Sequence, residues 1–451
     1  MTSRFARSLL ALAMTLALAP AVRADAPATS AATAPVDIRA KETFAVVWER
    51  LQNSGFKGQH EGLDWAALKA EHQPAIEGAK DLASLRNRIN ALLKDLRASH
   101  LSLIPAEAMP PPNKTVDIGM AEVGLRLAIV DGKLLVEHVI DGFPAARAGI
   151  RPGWQVERID DFDAAKTLTA LDQASPDAAR RGASMLQLRS NDLVDQLPSD
   201  KAVNLQLRDL DGATRTVSLT AMANPHVQAI TLLGLPPMPL RFTQRTLPAR
   251  DGGCVLYVEF SQWAMPVYDR FVEALREHGG CSGVVIDLRG NSGGMMATMS
   301  AVGGLFFEET VSLGTLSTGG GNLQLTAFPR QVTDDGRDVR RFRGPLAILT
   351  DRASISCSDI FPASMQALER ARIFGDTSAG MALPATTVPL PSGDRLYYPI
   401  ADFSDPKGRR IEGVGVIPDT PSAPTVDALR AGRDRTLDAA LAWIGEAGKQ
   451  R

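Results

Sequence analysis

One stretch, Leu346 to Gln366 (LAILTDRASISCSDIFPASMQ), constrains this chain more than any other. An apolar run of strand length, Leu346 to Leu349, breaks at Thr350, Asp351 and Arg352 into small hydroxylated residues. The spacing Ile360, Phe361, Met365, Leu368 then predicts a helix. Strand, sharp turn and helix in that order expose one side chain at the tip. The next backbone N–H groups lie at a helix N-terminus, where unpaired donors and the macrodipole favour a developing negative charge. A nucleophile belongs at such a tip, although Ser354, Ser356 and Ser358 also suit ordinary helix capping.

A second element points the same way. CSGVVIDLRGNSGG, Cys281 to Gly294, reads as a buried strand (Val284 to Leu288) ending in a Gly-rich loop that can bring amides close to a ligand. DLRGNSGG followed by SISCSDI resembles the C-terminal processing (tail-specific) serine peptidases and their relatives with a tricorn-like core. The resemblance covers most of the mature chain. It implies Ser356 as nucleophile, with an oxyanion hole from the backbone N–H of Cys357 and one from the Gly293, Gly294 pair.

A serine hydroxyl needs a base. Family members with a Ser/Lys dyad carry the lysine 25 residues after the serine, and here that position is Met381; no lysine occurs between Lys201 and Lys407. The tricorn-like branch uses histidine, held by a glutamate assisted by a serine. The matching residues are His100 and Ser99 in RASHLSL and Glu412 in IEGVGVIPD. An imidazole near pKa 6.5 can take the serine proton and return it to the leaving amine. The plainer alternatives are a structural His100, a Glu412 paired with Arg409 or Arg410, and a Cys357 nucleophile one position off the tip. A further alternative is a catalytically inactive peptide- or lipid-binding protein on the same fold. The resemblance calls for no metal and no organic cofactor.

At the N-terminus, Arg4 and Arg7 precede the apolar run Leu9 to Ala21, and Val22 and Ala24 suit signal-peptidase cleavage after Ala24. The run is shorter than the ~20 residues that span a bilayer, so a periplasmic or secreted protein without stable membrane insertion is expected. A net charge of -2 gives no reason to expect nucleic acid; protein or peptide substrates are the expected partners. Cys254 and Cys281 each open a predicted strand within disulfide reach, and the sequence leaves that bond open.

The chain divides into a signal peptide (1–24), a helical N-terminal domain (25–112), a PDZ domain (113–222) and an α/β serine peptidase core (223–451). Apolar residues at helical spacing, from Phe44 to Leu93, define the second segment. VGLRLAIVDGKLLVEHVIDGFPAARAGIRPG shows the strands, short helix and turns of a PDZ domain, an insertion that would present substrate C-termini. Val123, Gly124 and Leu125 match its carboxylate-holding loop, but the segment Ala164 to Leu197 exceeds a minimal PDZ helix and could cover the groove. The core alternates strands and helices, which predicts βαβ units of the ClpP/crotonase kind with the site at the carboxyl ends of the strands. The Gly-rich stretch Gly314 to Gly321 reads as a loop.

Overall fold

The computed structural model describes residues 38–54, 62–109, 119–232, 234–249, 252–333 and 335–447; the signal-peptide assignment lies outside them. The chain divides into two compact units, one formed by the described residues up to Met109 with Ala385–Pro399, the other by the rest.

The first unit has three helices, Ala40–Gln52, Trp65–Glu77 and Leu82–Asp95. Their periodic apolar residues meet as expected: Phe44, Val47 and Leu51 pack with Leu85, Ile89 and Leu92. Asp81 caps the third helix, accepting from the Ser84 N–H at 2.7 Å. The domain boundary drawn from the sequence needs one correction. Ala385–Pro389 and Arg395–Pro399, assigned to the core, form a three-stranded sheet with Ser102–Ile104. Leu390, Leu396 and Tyr398 bury in the helical core, and the Asp394 carboxylate takes Arg86 at 2.7 Å and the Ala106 N–H at 3.0 Å.

In the second unit an antiparallel module comes first. Its edge strand β1 (Leu125–Val130) turns at Asp131 and Gly132, both at positive φ, into β2 (Lys133–Val139). The sheet continues through Gln155–Ile159, Ala202–Arg208 and Thr214–Thr220. The long segment after Ala164 contains the helix α1 (Pro176–Asp195), which lies along the free edge of β1.

The sequence left open whether the long segment covers the peptide groove, and the helix bears on that. The Val123 N–H donates to the Val194 carbonyl, and the Val123 carbonyl accepts from the Ala145 N–H, each at 2.9 Å. Gly124 accepts from the Ile140 N–H, and the Leu125 carbonyl accepts from Arg126. Of the loop's N–H groups, which are what would hold a carboxylate, that of Val123 is taken by the helix, which is long enough to reach it.

The rest of the unit is a seven-stranded sheet. β3 (Cys254–Phe260), β4 (Gly283–Asp287), β5 (Leu346–Thr350) and β6 (Arg372–Gly375) run parallel, with Thr420–Pro421 beyond them; Met238–Pro248 and Val227–Ile230 add antiparallel on the other side. Both faces of the parallel strands are covered, as their apolar runs require. Ile286 and Ile348 face Trp263, Phe271 and Phe361, while Val285, Leu349 and Phe374 face Ile444 of the helix Arg435–Ala447. A disulfide joins Cys254 and Cys281, whose Cα atoms are 4.7 Å apart. The Gly-rich stretch is no loop but the hairpin Val311–Thr318 and Gly321–Ala327. Gly314 lets the strand Ala401–Ser404 pair beside it: a Cβ there would lie 2.4 Å from the Ser404 carbonyl oxygen.

Candidate active site

β5 ends at Thr350, and helix α2 (Cys357–Ala367) starts seven residues on. Burial separates the three serines between them and in the first turn. Ser354 and Ser358 are fully buried and committed: Ser354 Oγ donates to the Leu288 carbonyl at 2.7 Å, and Ser358 Oγ accepts from the Trp263 indole N–H at 2.9 Å. Only Ser356 is partly exposed. It sits at φ 59°, ψ -118°, a left-handed conformation that costs a non-glycine residue roughly 1–3 kcal/mol and persists only where surroundings impose it. They do so here. The Ser356 N–H is shared between the Met381 carbonyl (2.9 Å) and Asp359 Oδ2 (3.1 Å), while its carbonyl accepts from Asp359 and Ile360.

The Gly-rich loop after β4 closes on this tip. The Ile355 N–H donates to the Asn291 carbonyl at 3.0 Å, and a Cβ on Gly293 would stand 2.5 Å from Ser356 Cβ and 3.1 Å from its Oγ. Of the two glycines expected to line an oxyanion hole, Gly293 has its N–H on Asn291 Oδ1 at 2.9 Å. That leaves the N–H of Gly294, next in the loop, and that of Cys357, at the helix N-terminus, as the candidate oxyanion donors. The Cys357 thiol points away into the core, donating to the Gly294 carbonyl at 3.3 Å, and burial pushes its pKa up to about 12. Burial and that bond argue against Cys357 as the nucleophile, since the reactive species is the thiolate.

Behind the tip, Asp359 is fully buried and gathers four donors. Besides the Ser356 N–H it accepts from Ser378 Oγ (2.5 Å), the Gly380 N–H (2.9 Å) and the Met381 N–H (3.1 Å). Burial raises its pKa to about 7, and these donors oppose the rise. The Met381 backbone therefore touches the serine directly, but its side chain brings no amine. Glu412 is buried, with Oε2 accepting from the Ala382 N–H at 2.7 Å. The neighbouring Arg409 and Arg410 bind the Asp405 and Asp402 carboxylates through Nε, and Arg410 Nη1 donates to the Glu412 carbonyl at 3.2 Å.

In the other unit, His100 has φ 57°, so the expected base also holds a strained backbone. Its Nδ1 lies 2.8 Å from Ser99 Oγ, and its half-buried ring meets Tyr397 at 5.7 Å between centroids. Desolvation pulls the His100 pKa down to about 4, which keeps the imidazole neutral at ordinary pH.

Sequence reasoning missed Asp359, Asn291 and Asp351. Asp359 was visible in principle: it stands three residues after Ser356, the spacing of a capping box, and its carboxylate does bind the Ser356 N–H. Asn291 and Asp351 act through contacts between loops distant in sequence, for which no local pattern exists.

The chain is similar to known peptidases. Residues 254–422 match peptidase family S41. The carboxyl-terminal-processing protease of Synechocystis sp. is 25% identical over 345 residues, covering 74% of this chain and 71% of that one. Among solved structures, the photosystem II D1 C-terminal processing protease aligns over 90% of this chain and 97% of its own, with TM-score 0.56 and 19% identity. Mature CPAF complexed with lactacystin aligns over 92% and 99%, with TM-score 0.59 and 13% identity. At these identities the two structures speak for the fold. The family match runs from the first parallel strand to the last and contains Ser356; with the processing-protease relatives it supports a C-terminal processing serine peptidase, a serine-type hydrolase.

Proposed function

We propose that the chain is an exported endopeptidase that cleaves peptide bonds through an acyl-enzyme on Ser356, with His100 as general base and then acid. The observation that carries this reading is the strained, partly exposed Ser356 at the N-terminus of α2, closed on by the Gly293, Gly294 loop, in a chain that has Met381 where Ser/Lys relatives have the lysine. For His100 Nε2 to accept the Ser356 proton, Nδ1 must carry its own hydrogen, which the neighbouring Ser99 hydroxyl can accept. Glu412, acting with Ser99, fixes that tautomer and stabilises the imidazolium. Ser356 Oγ attacks the carbonyl carbon, and the Gly294 and Cys357 amides stabilise the oxyanion. His100 hands its proton to the departing amine, and water enters by the same route to release the acid. Export is supported by the N-terminal leader pattern and by the Cys254–Cys281 disulfide, a bond that persists in oxidising compartments. The antiparallel module resembles a PDZ domain in sequence, but its engaged loop and edge do not favour presentation of substrate C-termini.

Ser356→Ala and His100→Ala should each abolish turnover of a peptide substrate, and Ser356→Ala should also abolish labelling by a serine-reactive phosphonate. Normal turnover by His100→Ala would end the assignment of the base. The mature protein from a bacterial periplasm should begin at Asp25.

A further inference from the structure

The edge of β1 is filled by side chains of its own chain. Strand β1 pairs with β2 through one side, leaving Leu127 and Ile129 with their main-chain groups on the open side, where an added peptide strand would bond. Helix α1 supplies two carboxamides one turn apart. Asn191 Oδ1 accepts from the Leu127 N–H and its Nδ2 donates to the Leu127 carbonyl, both at 2.9 Å, the pair of bonds that one residue of an antiparallel neighbour would make. Gln187 Oε1 accepts from the Ile129 N–H at 2.9 Å.

Gln187 has a second partner. Its Nε2 donates to Asp351 Oδ2 at 2.6 Å, and the other oxygen of Asp351 accepts from the N–H groups of Gly290 and Ala353, each at 3.0 Å. Ser354 Oγ lies 3.2 Å from that same oxygen. Asp351 thus clamps the loop that carries Gly293 and Gly294 to the turn that carries Ser356. Gln187, only 2% exposed, is the side chain that satisfies the outer face of the clamp.

From this geometry we infer that Gln187 is a positioning residue for the peptidase reaction, tying the filled edge of the antiparallel module to the Asp351 clamp beneath Ser356. The inference rests on the proposed chemistry at Ser356. A peptide strand entering the edge would compete with Gln187 for the Ile129 N–H, so occupancy of the edge and the shape of the turn are linked through one carboxamide.

The test uses the full-length protein with Gln187→Glu and Gln187→Ala. The glutamate variant keeps an acceptor for Ile129 but places a carboxylate against Asp351. At pH 8 its kcat, normalised to sites titrated by the phosphonate, should fall about tenfold or more with KM within about twofold. The deficit relative to wild type should shrink towards pH 5.5, where the introduced acid binds a proton and donates to Asp351 again. Gln187→Ala, which has no proton to regain, should show a deficit independent of pH. Independently of turnover, hydrogen exchange at the Gly290 and Ala353 amides should quicken in Gln187→Glu at pH 8. Unchanged exchange, or a kcat deficit equal at both pH values, would overturn the inference. Loss of turnover in wild type itself would count against the proposed function, while the exchange measurement would still decide the role of Gln187.

Discussion

The substitution Gly293→Ala tests the architecture of the site without touching any group that reacts. At φ 98°, an L-residue costs roughly 1–3 kcal/mol, and the new Cβ would meet Ser356 Cβ at 2.5 Å and the Ile355 carbonyl at 2.9 Å. Ordinary contact begins at 3.4 Å, so something must move by 3.4 − 2.5 = 0.9 Å. The Asn291 carbonyl and side chain hold the Gly-rich loop from behind, so the serine is the part that gives way. A displacement of about 1 Å at a reacting atom can cost on the order of 100-fold in rate. Gly142→Ala provides the control, because Gly142 has φ 80° and nothing within 4 Å of an added Cβ, so it carries the backbone strain alone. Both variants should lose stability on heating by similar amounts. Only Gly293→Ala should lose about 100-fold in kcat/KM and in the rate of phosphonate labelling. If Gly293→Ala stays within threefold of the control in both, the serine is not held where the contact distances imply.

Other outcomes follow from single groups. Cys357→Ala should keep most activity and labelling, losing about 1–2 kcal/mol of stability as a small buried side chain, measurable by thermal unfolding. A general base must be neutral, and desolvation pulls the His100 pKa to about 4, so kcat/KM should rise with pH through an apparent value nearer 4 to 5 than the ordinary 6.5; an acid limb at 6.5 or above would contradict the burial of that ring. A peptide substrate and its C-terminal amide should show equal kcat/KM, since Asn191 and Gln187 already occupy the edge of β1; a tenfold preference for the free acid would mean that α1 yields the groove.

The parallel core was legible because its signals are local. The apolar runs at Val255, Val284 and Leu346, the helical spacing after Ser356 and the breaks between them place each element within a residue or two of where it lies. What escaped depends on residues far apart in the chain. Nothing near Ala385–Pro399 announces that this hairpin pairs with Ser102–Ile104, since Leu390 and Leu396 look like any buried pair until the helical core accepts them. Gly314 to Gly321 looked like a loop because glycine weakens strands. In place, the absence of a side chain at Gly314 is what lets the neighbouring strand approach. Among the three serines the sequence marked Ser356 only through the resemblance to the processing peptidases, because all three suit helix capping; burial of Ser354 and Ser358, which depends on Leu288 and Trp263 far along the chain, leaves Ser356 partly exposed.

A last prediction concerns stability rather than rate, and it probes the charge cluster that joins the antiparallel module to the core. Glu137, on β2, lies 3.7 Å from Arg289, which also binds Asp287 (2.6 Å) and Asp434 (2.8 Å). Burial raises the Glu137 pKa from 4.5 to about 7, with Arg289 opposing the rise and Asp351, Asp434 and Asp287 adding to it. A carboxyl whose pKa is higher when folded binds its proton more tightly in the native state. The stability it contributes is therefore present at low pH and lost as pH rises between 4.5 and about 7. At about 1.4 kcal/mol per pKa unit, a rise from 4.5 to about 7 makes the loss about 3.5 kcal/mol at most. Glu137→Gln carries no charge to desolvate and should escape this loss. Thermal unfolding at pH 5 and pH 8 should show a smaller fall in Tm for the variant than for wild type. Buried Asp192, with its pKa raised to about 8, and Asp359 keep part of the slope in both proteins. An identical fall in the two would show that Glu137 is ionised across the whole range, with Arg289 outweighing the cost of its burial.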